Sequence, residues 1–161
     1  MRAYIITASD SGCAGTREDL SGPAARELLE QAGYTVAGYA LLPDERGALA
    51  DKMREICDSD AADLILTTGG TGFSPRDCTP EATRDVVERM APGIPEAMRY
   101  HSLQITPRAM LSRAAAGIRK GTLIVNLPGS PKAVRECLEY ILPALEHGLQ
   151  ILRETTGECA R

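Results

Sequence analysis

Three short runs, Tyr4-Ile5-Ile6, Leu64-Ile65-Leu66 and Leu123-Ile124-Val125, are apolar at every position rather than at alternate ones. Successive side chains of a strand point to opposite faces, so a strand with no polar face has to be covered on both. Helices on either side of a mostly parallel sheet meet that demand. The segments between the runs supply them. Ala25, Leu28, Leu29 and Ala32 share one helical face, with Gly33 as a stop, and Leu49, Met53, Ile56 and Cys57 form a second stripe. The clearest stripe is Val134, Cys137, Leu138, Ile141, Leu142 and Leu145, in a helix expected from Pro131 to about Arg153 that Pro143 should kink or split.

A further strand is expected from Tyr34 to Leu42, and an irregular helical patch from Gly93 to Gln104. Ser112 to Ile118 and Thr122 to Leu127, joined by the turn-like Arg119-Lys120-Gly121, read as an antiparallel pair at one sheet edge. The expected fold is α/β: a three-layer α/β/α sandwich with a mostly parallel central sheet and one antiparallel edge pair. A single domain over residues 1–161 fits this length, with 155–161 as a flexible tail.

Composition narrows the function classes. With 43% hydrophobic and 25% charged residues, the chain has the mix of a globular protein. No apolar run approaches a membrane span, and the apolar stretch after Met1-Arg2-Ala3 is too short for a signal peptide, so a cytoplasmic location is expected. Net charge is -4, basic residues are scattered, and Trp is absent, which argues against nucleic acid as a partner. The five cysteines form no Cys-x-x-Cys and read as reduced thiols. His101 and His147 lack metal-ligand spacing, and no Ser/His/Asp or Gly-x-Ser-x-Gly arrangement points to acyl transfer.

Ligands of open α/β sheets bind beyond the carboxyl ends of the strands. Three loops there are rich in small and polar residues. The first is Thr67-Thr68-Gly69-Gly70-Thr71-Gly72-Phe73-Ser74-Pro75-Arg76-Asp77-Cys78-Thr79-Pro80-Glu81, which runs from a strand to Thr79 as N-cap and Pro80 as the first helical residue. Its glycines let backbone N–H groups approach an anion, and the helix N-terminus adds partial positive charge. Asp77 inside such a loop would repel phosphate unless a divalent cation such as Mg²⁺ bridged them. A tight strand-to-helix connection is the competing reading. The second loop, Asn126-Leu127-Pro128-Gly129-Ser130-Pro131-Lys132, repeats this logic with a cation added, and taken alone a well-capped helix is the better explanation of it. The third runs from Ser9-Asp10-Ser11-Gly12 to Asp19-Leu20-Ser21-Gly22-Pro23 and is too long for a mere turn. Asp44 also lies at this edge, where its plainest role is N-cap of the helix holding Leu49 and Met53.

Together, Thr68-Gly69-Gly70-Thr71-Gly72, Arg76-Asp77 and Thr79-Pro80-Glu81-Ala82 resemble the signature of the MogA/MoaB family, which includes the G domains of gephyrin-like and plant molybdenum cofactor enzymes. Ser9-Asp10, Asp19-Leu20-Ser21-Gly22, Leu111-Ser112-Arg113-Ala114, Gly117-Ile118-Arg119 and Asn126-Leu127-Pro128-Gly129-Ser130 extend the likeness over roughly residues 3–153.

The resemblance implies a molybdopterin adenylyltransferase that moves AMP from Mg·ATP to molybdopterin and releases pyrophosphate. It implies that Asp44 and Asp77 are the catalytic carboxylates and the Mg²⁺ ligands. Asp10, Ser21, Gly69, Gly70, Thr71 and Gly72 would serve the nucleotide and its phosphates; Ser112, Pro128, Gly129, Ser130 and Lys132 would serve the pterin. It also implies a homotrimer, or a hexamer as in some MoaB-type proteins, with Gly93 to Gln104 as the expected contact, working beside other molybdenum cofactor biosynthesis proteins. Some MoaB-type relatives lose the Arg-Asp before Thr-Pro and are non-catalytic pterin binders; this chain keeps both aspartates.

Overall fold

The alternation of all-apolar strands and amphipathic helices builds a six-stranded sheet in the order β2-β1-β3-β6-β5-β4. The computed structural model describes residues 1–154, and the expected tail at 155–161 lies outside them. The elements are β1 (Arg2–Ala8), α1 (Asp10–Cys13), α2 (Ser21–Gln31), β2 (Thr35–Leu42), α3 (Arg46–Asp58), β3 (Leu64–Thr68) and α4 (Thr79–Val86). Then follow β4 (Arg89–Met90), α5 (Gly93–Leu103), a 3-10 segment (Pro107–Leu111), β5 (Ala116–Arg119), β6 (Thr122–Leu127) and α6 (Pro131–Leu152).

Strands β2, β1, β3 and β6 are parallel neighbours, and β5 returns antiparallel to β6 through the Lys120-Gly121 turn. The two-residue β4 adds an antiparallel edge beyond β5 that the sequence pattern did not announce, being too short to carry one. The first half of the expected Ser112–Ile118 strand is irregular, because Arg113 donates its N–H to the Thr71 carbonyl across the glycine loop.

Both faces of the sheet are covered, as the unbroken apolar runs require. Ile5, Leu64, Leu66, Leu123 and Val125 face α2, α5 and α6, while Ile6, Ile65 and Ile124 face α3 and α4. All six stripe positions of α6 are buried. Ala32 is an exception among the expected core residues: it caps α2 in the open, ahead of Gly33 at φ +82°, and Ala24 takes the inward place. Helix α6 runs through Pro143 without splitting. Ile141, Leu142 and Leu145 bury the turns around the proline, and that packing outweighs one lost backbone bond.

The site-positioning feature is the switch in strand order. From β1 the chain moves outward to β2 over one face, then returns across β1 to β3 over the other. The loops after β1 and β3 therefore part at their carboxyl ends and leave a crevice between them.

Candidate active site

A cleft of about 630 Å³ fills that crevice. The loops after β1, β2, β3 and β6 contribute Asp10, Asp44, Gly69, Gly70, Asp77, Gly129 and Ser130, and the start of α2 contributes Ser21. Thr71, Gly72, Ser112 and Pro128 line a second cleft of about 280 Å³ beside Met98, Arg99 and Cys137. Lys132 lines neither: its side chain is 83% exposed and its Nζ lies 3.8 Å from Glu136 Oε1. The residues expected at one site thus occupy two clefts, with Lys132 outside both.

Close packing of the loops demands glycine. Gly69 has φ +87° and faces the Ala8 carbonyl so tightly that a Cβ would overlap it, while a Cβ on Gly129 would sit 3.2 Å from the Gly69 Cα. At Gly70 (φ +63°) a Cβ would strike Thr79 Oγ1 and approach Asp44 Oδ1 at 3.0 Å. Three strand ends therefore meet backbone to backbone, as an anion cradle requires.

Asp44 does not cap α3. Glu45 occupies the N-cap without a side-chain bond, because the Asp44 carboxylate turns to α1 instead. Asp44 Oδ2 accepts from the Asp10 N–H and Asp10 Oδ1 accepts from the Asp44 N–H, each at 3.0 Å. Burial, and then the charges of Asp10 and Asp77, push the Asp44 carboxyl above the usual carboxylate range. Asp10 moves the other way: hydrogen bonds from the Arg76 guanidinium and the Asp44 N–H hold it below that range.

Thr79 likewise does not cap α4. Cys78 takes that position, and Thr79 Oγ1 is buried without a partner, as is Asp44 Oδ1. Asp77 Oδ2 accepts from the Ser74 N–H at 3.0 Å. Arg113 secures the loop that carries Asp77, donating to the carbonyls of Gly72 (2.6 Å) and Asp77 (2.7 Å) and pairing with Glu81. Ser130 caps α6 as expected, accepting from the Ala133 N–H at 3.2 Å.

Asp44, with one buried oxygen unpartnered, lines the same cleft as Asp77, and two carboxylates are donors that suit a hard cation such as Mg²⁺. Among the described residues no group of three or more His, Cys, Asp or Glu side chains could hold a metal.

Two residues that the motif contained without a role acquire one. Asp19 Oδ1 accepts from Ser21 N–H (2.9 Å) and Ser21 Oγ (2.7 Å); Oδ2 accepts from Thr7 Oγ1 (2.8 Å), Tyr39 OH (2.7 Å) and Gly22 N–H (3.1 Å). Burial raises its pKa, but the donors from Ser21, Tyr39 and Thr7 outweigh that and leave it lowered. Burial and the Asp19 carboxylate together push the Tyr39 phenol up to about 12. Asp19 thereby locks the start of α2, where Ser21 lies, to β1 and β2. An Asp two residues before a helix-starting Ser was the available signal. Arg76, the second, pairs with Asp10 across the cleft mouth.

The cysteines at 13, 57, 78 and 137 are free thiols, the second and fourth buried. Among the described residues no helix is long and apolar enough to cross a membrane.

Known proteins resemble this chain over most of its length. Residues 4–147 match the family described as "Probable molybdopterin binding domain". The chain is 44% identical over 152 residues to the molybdopterin adenylyltransferase of Helicobacter pylori strain J99, covering 92% of this chain and 85% of that protein. It is 41% identical over 146 residues to the molybdopterin adenylyltransferase of Escherichia coli K12, covering 89% and 75%. The crystal structure of the molybdopterin biosynthesis enzyme MoaB from Thermus thermophilus superposes with a TM-score of 0.90 at 49% identity, covering 95% and 96%. With the cleft at the strand switch, the glycine loop and both aspartates in place, the chain belongs to the molybdopterin-binding domain family of the MogA and MoaB proteins.

Proposed function

We propose that the chain transfers the adenylyl group of ATP to molybdopterin. An oxygen of the pterin's terminal phosphate attacks the α-phosphorus of ATP; the bond to the bridging β-phosphate oxygen breaks, and pyrophosphate leaves with that electron pair. Such a transfer depends on positioning and on neutralising charge, more than on covalent participation by the protein. The observation that carries the reading is that Asp44 and Asp77 line one cleft with the Gly69-Gly70 turn, at the strand switch.

In this reading the Gly69–Gly72 loop cradles phosphate, with Asp10 and Ser21 on the nucleotide side of the larger cleft. Gly129 and Ser130 border that cleft and Pro128 and Ser112 the smaller one, so the pterin lies over the ridge between them. Lys132 joins only if its exposed side chain turns inward from Glu136. Asp44 and Asp77 would hold Mg²⁺, which neutralises phosphate charge and polarises the α-phosphorus when bound. Asp19 and Arg113 keep Ser21 and Asp77 in position.

The same reading places the chain in the cytoplasm as a single-domain homotrimer, or a hexamer, among other molybdenum cofactor biosynthesis proteins. Its support is the family likeness, and light scattering showing a stable monomer at micromolar concentration would remove it.

The direct test incubates the purified protein with molybdopterin and Mg·ATP and quantifies adenylylated pterin. Wild type should form it, and Asp77→Asn should lose roughly 10²-fold or more in rate while still binding pterin. A wild type that binds pterin and never forms the adenylate would be a non-catalytic binder, and the roles given to Asp44 and Asp77 would fall.

A further inference from the structure

Arg76 stands at the mouth of the larger cleft, on the exposed part of the loop after β3. Its guanidinium makes a two-pronged contact with Asp10, Nε to Oδ2 at 2.8 Å and Nη2 to Oδ1 at 3.0 Å. The pair is open to water, with side chains 57% and 44% exposed, so the two groups separate readily. The planar fork that fits a carboxylate fits a phosphate equally well.

The cleft around it is acidic. Asp10, Glu18, Asp19, Asp44 and Asp77 line the wall against only Arg17 and Arg76. A polyphosphate entering there meets few cations, and Arg76 already presents its fork to an oxyanion. Pyrophosphate has to depart through the open side, which puts the β- and γ-phosphates of ATP toward the mouth and the α-phosphate toward the glycine turn.

We propose that Arg76 is the residue that selects the triphosphate, and that Asp10 is its built-in competitor: the β- and γ-phosphates of ATP displace the Asp10 carboxylate from the guanidinium fork. Asp10 keeps its place meanwhile, because Oδ1 still accepts from the Asp44 N–H. The carboxylate thus occupies the place a phosphate would take and holds the arginine ready. This inference rests on the adenylyl-transfer reading.

Calorimetric titration with ATP and with AMP, in magnesium buffer without molybdopterin, tests it. Arg76→Met should weaken ATP about tenfold and AMP by less than about twofold, with Arg76→Lys intermediate. Asp10→Asn retains an oxygen for the Asp44 N–H but removes the competing charge, so ATP should bind roughly threefold tighter. The opposite signs are the signature, since a purely structural ion pair would weaken with either change. Equal losses for ATP and AMP in Arg76→Met, or weaker ATP binding in an Asp10→Asn protein that melts like wild type, would overturn the proposal. A wild type that binds neither nucleotide would instead sink the functional reading beneath it.

Discussion

The two ends of the sheet treat acidic residues in opposite ways. At the amino ends of the parallel strands, Asp63 is nearly buried and fully matched: it accepts from the Arg2 N–H at 2.6 Å and pairs with the guanidinium groups of Arg2 and Arg153. Asp58 nearby is paired with Arg119 and Lys120, whose hydrogen bonds lower its pKa to about 2. At the carboxyl ends, five carboxylates share two arginines around the larger cleft, and Asp44 keeps a buried oxygen without a partner. The amino end is electrostatically closed and holds the fold together. The carboxyl end keeps an excess of negative charge, which the cation of the proposed reaction would offset.

That contrast predicts that mutations separate stability from activity. The largest stability effect should come from the closed end. Asp63→Asn leaves Arg2 and Arg153 with the exposed Asp60 as their remaining partner and should destabilise by about 2 kcal/mol, below the full cost of a deeply buried pair because both arginines are partly wet. Denaturant melts would read the loss, and adenylyl transfer at 25 °C should stay within about twofold of wild type. A drop in transfer as large as that of Asp77→Asn would erase the distinction between the ends.

Gly70→Ala comes next and strikes both properties. It places a Cβ at φ +63° against Thr79 Oγ1 and Asp44 Oδ1, so about 1–2 kcal/mol of stability should go. Transfer should fall further than stability does, because Asp44 has to move. A variant with normal melting and normal transfer would show that the turn does not constrain the site.

The smallest effect has the most informative sign. Asp44→Asn should stabilise the protein at neutral pH, by no more than about 1 kcal/mol, while abolishing transfer. It removes a charge that burial and two neighbouring carboxylates disfavour. The pH dependence should run in opposite directions at the two ends. Asp63 has a lowered folded pKa, so its contribution is present above the ordinary carboxylate range and is lost as pH falls through the folded value. Asp44 has a raised one, so its cost is absent in acid and appears as pH rises through that value. Melts across acid pH should therefore show the advantage of Asp44→Asn shrinking toward wild type. An Asp44→Asn protein less stable than wild type at neutral pH would contradict that excess of negative charge.

The amino-acid sequence by itself determined the layers, because periodicity is local. A run apolar at every position needs cover on both faces wherever it sits, and the α6 stripe buries one side of its helix in any packing. It also marked the glycine loop and the residues of the family signature, since turn chemistry and motif spacing belong to neighbouring positions. What it could not carry was the pairing of distant groups. Asp44 looked like a helix cap until the fold brought it to Asp10, 34 residues away, and Arg76 had no visible partner until it met Asp10 across 66 residues. Lys132 looked like a ligand-facing cation, and only its position on the first turn of α6 turned it to Glu136. The division of the expected site into two clefts has the same origin. Sequence spacing specifies what each loop can do, but the order of strands in the sheet decides which loops face one another.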